Sequence, residues 1–331
     1  MAEKWLVTGA AGFIGSHLVE ALLRVGEEVV GLDNFATGKR ENVDDVLSSL
    51  TGHQRDRFRL IDGDIRDPDD CRRACAGVTR VLHQAAIGSV PRSIDDPLTT
   101  NEVNVTGHLN MMVAARGARV SSFVYASSSA VYGDSPTSPK KEGDEGRPIS
   151  PYAASKRANE DYAAAFAAVY GMNVIGLRYF NVYGPRQDPA GQYAAVIPRW
   201  IGRLLAGQRC QIFGDGSTSR DLTYVGDVVA ANLAAATSDA PSGVYNVAYG
   251  SATDLNELYR LLRSAVEATT GRPEVAALEP IYAPFRTGDV LRSLADTSRA
   301  RAEFGFDPRV EIGTGLLQTV GWFAAQNASQ A

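Results

Sequence analysis

The chain has 331 residues, 44% of them hydrophobic and 21% charged, with a net charge of -5. That length is ample for a sizeable core, as about two domains or as one α/β unit with an appended lobe. The acidic balance without long basic runs argues against nucleic acid as a partner. No apolar run approaches the ~20 residues of a membrane helix. Three cysteines (Cys71, Cys75, Cys210) and four histidines suggest neither a disulfide framework nor a metal cluster, so no metal is expected. The chain runs straight into a strand at Lys4–Gly9, with no secretory-type leader ahead of it. A soluble cytoplasmic protein is expected.

In chain order, Trp5–Thr8 reads as a strand and Ile14–Val25 as a helix. Further strands are expected at Val29–Leu32, Arg57–Asp62, Val81–Ala85 and Ser122–Ala126. Strands alternating with helical segments indicate βαβ units, so the expected fold is α/β, a Rossmann-type doubly wound parallel sheet. Pro136–Pro151, rich in Pro, Gly and charge, reads as a surface loop over the site. An Ala-rich helix at Tyr152–Tyr170 and a strand at Asn173–Arg178 follow, and a last helix is expected near Leu316–Gln326. The expected division is a dinucleotide-binding domain over 1–180 and a smaller C-terminal substrate lobe over 181–331, with some segments of the second returning to the first.

Thr8-Gly9-Ala10-Ala11-Gly12-Phe13-Ile14-Gly15 joins the first strand to the first helix with GxxGxxG spacing. Glycines there permit a tight turn and close approach of the backbone to a pyrophosphate, at which the helix N-terminus aims its free N–H groups. A plain strand–helix turn also favours glycine. Here Asp33, with Asn34 beside it, ends the second strand at about the ~20-residue distance expected of a ribose-binding carboxylate. A carboxylate repels a 2′-phosphate, so NAD is expected over NADP, although Lys39 and Arg40 lie close by. Asp64-Ile65 reads equally well as an adenine contact or as a helix cap. Gln84-Ala85-Ala86, after the fourth strand, suits close passage of cofactor or merely a tight crossover.

Ser127-Ser128-Ser129 ends a strand, where parallel sheets present ligands. Tyr152 and Lys156 share one helical face at i, i+4. Taking a hydride from a carbinol carbon requires a base for the hydroxyl proton, and an ordinary phenol with pKa about 10 is too protonated at neutral pH. A neighbouring ammonium and a cationic nicotinamide favour phenolate, and a serine hydroxyl can orient the substrate oxygen. Tyr-x-x-x-Lys alone is common on helices. Joined to the glycine loop and the serine cluster, it points to a catalytic triad.

On TGAAGFIGSHL, LDNFATG, GDIRD, ASSSAVYGD, SPYAASK, LRYFNVYGPRQ and GDGSTSRDLTYVGDV, the chain resembles the extended short-chain dehydrogenase/reductase family over nearly its whole length. Within it, the sequence is similar to the UDP-sugar 4-epimerases, closest to the UDP-N-acetylglucosamine branch. The resemblance implies catalytic Ser128, Tyr152 and Lys156, and bound NAD held by Gly9, Gly12, Phe13, Ile14, Gly15, Asp33, Asn34, Asp64, Ile65, Gln84, Ala85, Ala86, Tyr152 and Lys156. It implies UDP-sugar contacts at Ser89, Ser128, Ser129, Asn181, Ala195, Val196, Arg220, Arg286, Asp289 and Ser293. Arginines suit the diphosphate because they bind it bidentately. Ser129 and Ala130 stand where related 4,6-dehydratases carry an Asp–Glu pair, so loss of water is not expected. Ser293 falls at the position where a Tyr marks glucose/galactose-only enzymes and a small residue leaves room for a 2-N-acetyl group. The loop Ala86–Ser93 is similar to the same branch.

The expected reaction is C4 inversion of UDP-GlcNAc/UDP-GalNAc through a transient 4-keto sugar. UDP-glucose/UDP-galactose, a uronate form and a non-catalytic NAD sensor are the alternatives. A homodimer, packed through helices around His108–Arg116 and Tyr152–Tyr170, is implied by the resemblance alone.

Overall fold

A computed structural model describes residues 3–189, 195–285 and 291–330, the last three without their side chains. Its centre is a seven-stranded, wholly parallel sheet: β1 (Lys4–Thr8), β2 (Glu28–Asp33), β3 (Phe58–Asp62), β4 (Arg80–His83), β5 (Ser122–Ser128), β6 (Val174–Tyr179) and β7 (Gly243–Val247). The spatial order is β7-β6-β5-β4-β1-β2-β3. The order reverses between β1 and β4, and a crevice for ligands opens there beyond the strands' carboxyl ends.

Successive strand side chains point to opposite faces, and the two cores follow that rule. Trp5 and Val7 join one core beneath α1 (Phe13–Arg24), while Leu6 joins the other, beneath α2 (Pro68–Cys75) and α3 (His108–Ala118). Phe123 and Tyr125 face the second core with Phe166 of α4 (Pro151–Tyr170), and Val124 faces the first. Both faces are covered, as a parallel sheet requires. A third core lies in the lobe formed by α5 (Val196–Leu205), α7 (Leu255–Thr270) and α8 (Ile312–Gln330). Between α5 and α7, the helix α6 (Val225–Thr237) and strand β7 belong to the sheet's own layers.

Two strand ends differ by more than one residue from the sequence expectation. β4 stops at His83 rather than Ala85, because Gln84 N–H donates to the Thr8 carbonyl and Ala85 N–H to the Thr8 hydroxyl, turning the chain across the top of β1. β5 runs on to Ser128 rather than ending at Ala126, because Ser127 and Ser128 stay in register with Arg178 and Tyr179 of β6. Among the described residues no helix is long and apolar enough to cross a membrane.

Candidate active site

A cavity of about 1170 Å³ opens at the carboxyl ends of β1, β4, β5 and β6, above the ~300–1,000 Å³ usual for a single small ligand. At one end the glycine loop forms its floor. Gly9 has φ +67°, and a Cβ on Gly15 would lie 1.9 Å from the Gly9 carbonyl oxygen. That contact is between backbone atoms, so no rotamer relieves it. The loop is therefore a cradle only glycine can form, and the first turn of α1 above it leaves N–H groups for an anion. Asp33 carries a second duty: its carboxylate accepts from Ala11 N–H (2.9 Å) and Phe35 N–H (2.8 Å), pinning the loop to the end of β2. Burial raises its pKa, and those two bonds work against the rise.

Asp64 does not cap a helix; Asp67 caps α2. Asp64 instead accepts from Asn34 (2.8 Å) and Arg66 (2.6 Å), and the guanidinium holds its carboxyl down to about 2. Lys39 and Arg40 are engaged by Asp188 and Asp62.

In the middle of the cavity, Ser150 caps α4 through Ala153 N–H (3.1 Å) and Pro151 opens the first turn. Tyr152 and Lys156 lie one turn apart, with Lys156 Nζ 5.9 Å from the Tyr152 ring centre. The ammonium donates to the Ala126 carbonyl (2.8 Å), which ties it to β5 beside Ser128. The sequence expectation counts two cations near the phenol, the Lys156 ammonium and a nicotinamide, and the protein supplies the first. Burial raises the Tyr152 phenol above its ordinary value of 10, and the hydrogen bond with the Ser128 hydroxyl offsets only part of this. Burial also pulls Lys156 down to about 8, against the opposing pull of Glu160. The protein's own groups therefore favour the protonated phenol. His83, behind Lys156, is driven down to about 3 by burial first and by Lys156 second, so it stays neutral.

Two positioning contacts carry no signal in the sequence because they span 59 and 51 residues. Tyr152 N–H donates to the Oγ of fully buried Ser93 (3.0 Å). Asn104, in a π-helical turn (Glu102–Gly107), bonds both backbone groups of Ile87 and donates to Ser155 Oγ (3.1 Å). Together they fix the loop after β4 against α4. A third device lies below: Ser127 Oγ and the bidentate guanidinium of Arg178 both bond Glu160 (2.6–2.8 Å), and Arg178 reaches on to Glu145. That chain ties the segment before Ser150 to the sheet.

Of the residues singled out in the sequence, Gly9, Gly12, Phe13, Ile14, Gly15, Asp33, Asn34, Asp64, Ile65, Gln84, Ala85, Ala86, Ser128, Ser129, Tyr152, Lys156, Asn181, Arg220 and Ser293 all line this one cavity. Ser89 sits at its rim as the cap of helix Val90–Asp95, accepting from Arg92 N–H (3.2 Å). Ala195 and Val196 start α5 outside the cavity wall. Arg286 and Asp289 lie outside the described residues.

Residues 5–248 match the model of the NAD dependent epimerase/dehydratase family. The chain belongs to that family. It is an NAD-dependent enzyme, and the glycine cradle fits that cofactor. A UDP-glucose 4-epimerase of Mycolicibacterium smegmatis is 41% identical over 99% of this chain and 100% of its own length. The structure of a UDP-N-acetylglucosamine 4-epimerase from Methanobrevibacter ruminantium, in complex with UDP-N-acetylmuramic acid, superposes with a TM-score of 0.89. It is 37% identical, covering 98% of this chain and 100% of the other. A Thermus thermophilus UDP-glucose 4-epimerase in complex with NAD superposes at 0.81, with 38% identity over 97% and 99% of the two chains.

Proposed function

We propose that the protein is a UDP-sugar 4-epimerase that inverts C4 of UDP-N-acetylhexosamines, interconverting UDP-GlcNAc and UDP-GalNAc. The observation that carries the N-acetyl reading is Ser293: a small side chain on the cavity wall, paired in register with Arg220 on the neighbouring strand. A bulky residue there would occupy the space a 2-acetamido group needs.

Tyr152 takes the C4 hydroxyl proton, and Ser128, hydrogen-bonded to the phenol, orients that oxygen. Lys156 orients the ribose of the cofactor and adds positive charge beneath the phenol. Bound NAD supplies reversible hydride acceptance and the positive charge that the buried phenol lacks. Gly9, Gly12, Phe13, Ile14, Gly15, Asp33, Asn34, Asp64, Ile65, Gln84, Ala85 and Ala86 hold it along the crevice. Asn181 and Arg220 take the diphosphate, together with Arg286, and Asp289 accepts from a hydroxyl of the sugar nucleotide. Ser89 and Ser129 flank the sugar, and the family resemblance assigns the uracil to Ala195 and Val196 at the start of α5. Held by its diphosphate at Asn181 and Arg220, the 4-keto sugar would turn to present its other face to the cofactor, and Tyr152 would return the proton to the C4 oxygen. Ser129 and Ala130 offer no carboxyl for proton removal at C5, so a ketone held there has no path to dehydration.

Exposed Val113 on α3 and Tyr162, Val169 and Tyr170 on α4 favour packing of a second copy against these two helices, as a homodimer. Three free, buried cysteines suit a reducing cytoplasm.

The purified holoenzyme is incubated without added cofactor with UDP-Glc, UDP-GlcNAc or UDP-GlcNAc uronate, and the anomeric protons are followed by NMR. UDP-GlcNAc is expected to epimerise fastest. Faster turnover of UDP-Glc or of the uronate replaces the substrate, and no epimer from any of them sinks the reaction. Tyr152→Phe is expected to lower kcat by about 10²–10⁴.

A further inference from the structure

The wall bearing Ser293 is built in an unusual way. The strand Arg292–Ser293 runs parallel to Ser219–Asp221, with Ser293 opposite Arg220, and Ser219 N–H donates to the Leu291 carbonyl (2.9 Å). Beyond Ser293 the chain continues as Leu294–Asp296, whose backbone is bonded by two buried polar side chains, one at Ala295 and one at Asp296.

The first is Asp221, fully buried. Its carboxylate accepts from Ala295 N–H (3.2 Å), from Tyr249 N–H (3.0 Å) and from Gly250 N–H (3.1 Å). Its own carbonyl accepts from Asn181 Nδ2 (2.9 Å). The second is Asn246 at the end of β7, also fully buried. Its Nδ2 donates to two carbonyls, Lys140 (3.0 Å) and Asp296 (2.9 Å), while its Oδ1 accepts from Tyr132 Oη (2.7 Å). Lys140, whose side chain lines the cavity, is itself bonded to the gate segment through Lys140 N–H to Leu294 O (2.7 Å) and Asp296 N–H to Lys140 O (2.9 Å).

We propose that Asp221 and Asn246 are positioning residues that set sugar specificity, by clamping the Ser293 segment between the Arg220 strand and the Lys140 loop. Neither lines the cavity. They act through the backbone of residues 294–296, which fixes how far Ser293 stands from the sugar. The clamp joins four segments distant in sequence: the loop before α4, the strand of Arg220, the turn after β7, and the gate itself. It also links the gate to Asn181, through the Asp221 backbone carbonyl, and to Arg220, through strand register, so the tether and the C2 wall meet at one buried residue. Burial raises the Asp221 carboxyl to about 6, with the backbone N–H bonds opposing. At neutral pH it is therefore an acceptor for every one of them. Replacing it by an amide sets a donor against a donor at one side of the clamp.

The inference rests on the epimerase reading for its substrates but not on which sugar is preferred. That preference is read from the wild-type enzyme, and the clamp from the change between wild type and variant. In Asp221→Asn holoenzyme, the ratio of kcat/KM for UDP-GlcNAc to that for UDP-Glc is expected to move by about tenfold toward unity. The change should sit in KM, with kcat within about threefold. An unchanged ratio, or an equal fall in kcat for both sugars at constant KM, overturns the proposal. Hydrogen exchange on the wild-type holoenzyme provides an arm that does not depend on the variant folding. The Ala295 and Asp296 amides are expected to be strongly protected before any sugar nucleotide is added. Exchange at those amides as fast as in an open loop overturns the clamp.

Discussion

Residues 9–15, the turn after β1 and the first residues of α1, make the floor of the proposed cofactor end of the cavity. The proposed sugar end is assembled from the loop after β4, the segment around Lys140, the chain after β6, the Arg220 strand and the Ser293 strand, spread over more than half of the sequence. The first end is held by covalent neighbours and by one carboxylate, Asp33, twenty-odd residues away. The second is held by buried hydrogen bonds between segments that have no reason to meet until the lobe has folded onto the sheet. A local turn whose atoms are packed backbone on backbone tolerates no added atom. A wall held by side-chain bonds yields by small shifts, and small shifts there change which sugar fits. The difference suggests that rigidity sits where NAD must be kept through each cycle, and adjustability where substrates differ.

Gly15→Ala tests the rigid end most severely. Its Cβ would meet the Gly9 carbonyl at 1.9 Å, and overpacking of this kind costs about 3 kcal/mol, roughly a hundredfold in NAD affinity. A titration of cofactor-free protein with NAD measures it. Wild-type affinity in the variant would mean that the loop is as pliable as the sugar wall, and the contrast would collapse.

The same contrast explains what was legible in the sequence. The glycine turn, Asp33, the strand–helix alternation and the Tyr152–Lys156 pair are local patterns, each set by a few consecutive residues, and six strands of the sheet follow from them; the seventh, β7, lies in the less regular second half and is not among the expected strands. Ser93, Asn104, Glu160, Asp221 and Asn246 are single polar residues whose meaning comes from partners up to 114 residues away; Asp221 and Ser93 fall inside segments that carry the family resemblance, but nothing local names their partners. How much of the phenol's shift the protein's own groups supply was also not legible. Spacing places the ammonium on the right face, but only the structure shows it donating to Ala126 and burial dominating the phenol.

At the adjustable end, Ser293→Tyr is expected to lower kcat/KM for UDP-GlcNAc by about 10–200-fold relative to UDP-Glc, the range that differences in pocket shape produce. Paired kinetics on the two sugars decide it. Unchanged UDP-GlcNAc turnover would remove Ser293 from the C2 wall and leave the specificity to the loop Ala86–Ser93.

The smallest effect is expected where the two ends meet. Ser93, on the helix that follows the loop after β4, accepts the Tyr152 N–H and donates to the Val90 carbonyl (2.7 Å). It thus couples the sugar-side loop to the first turn of the catalytic helix. Ser93→Ala leaves Tyr152 N–H with no acceptor in a buried turn, a loss of about 1 kcal/mol or roughly fivefold. Because Tyr152 keeps Ser128 and the helix keeps its Ser150 cap, the loss should appear in kcat, with NAD affinity unchanged by titration. If NAD affinity falls instead while kcat holds, Ser93 serves the cofactor end. Tyr152, the proposed base, would then be positioned by the rigid floor, not by the adjustable wall.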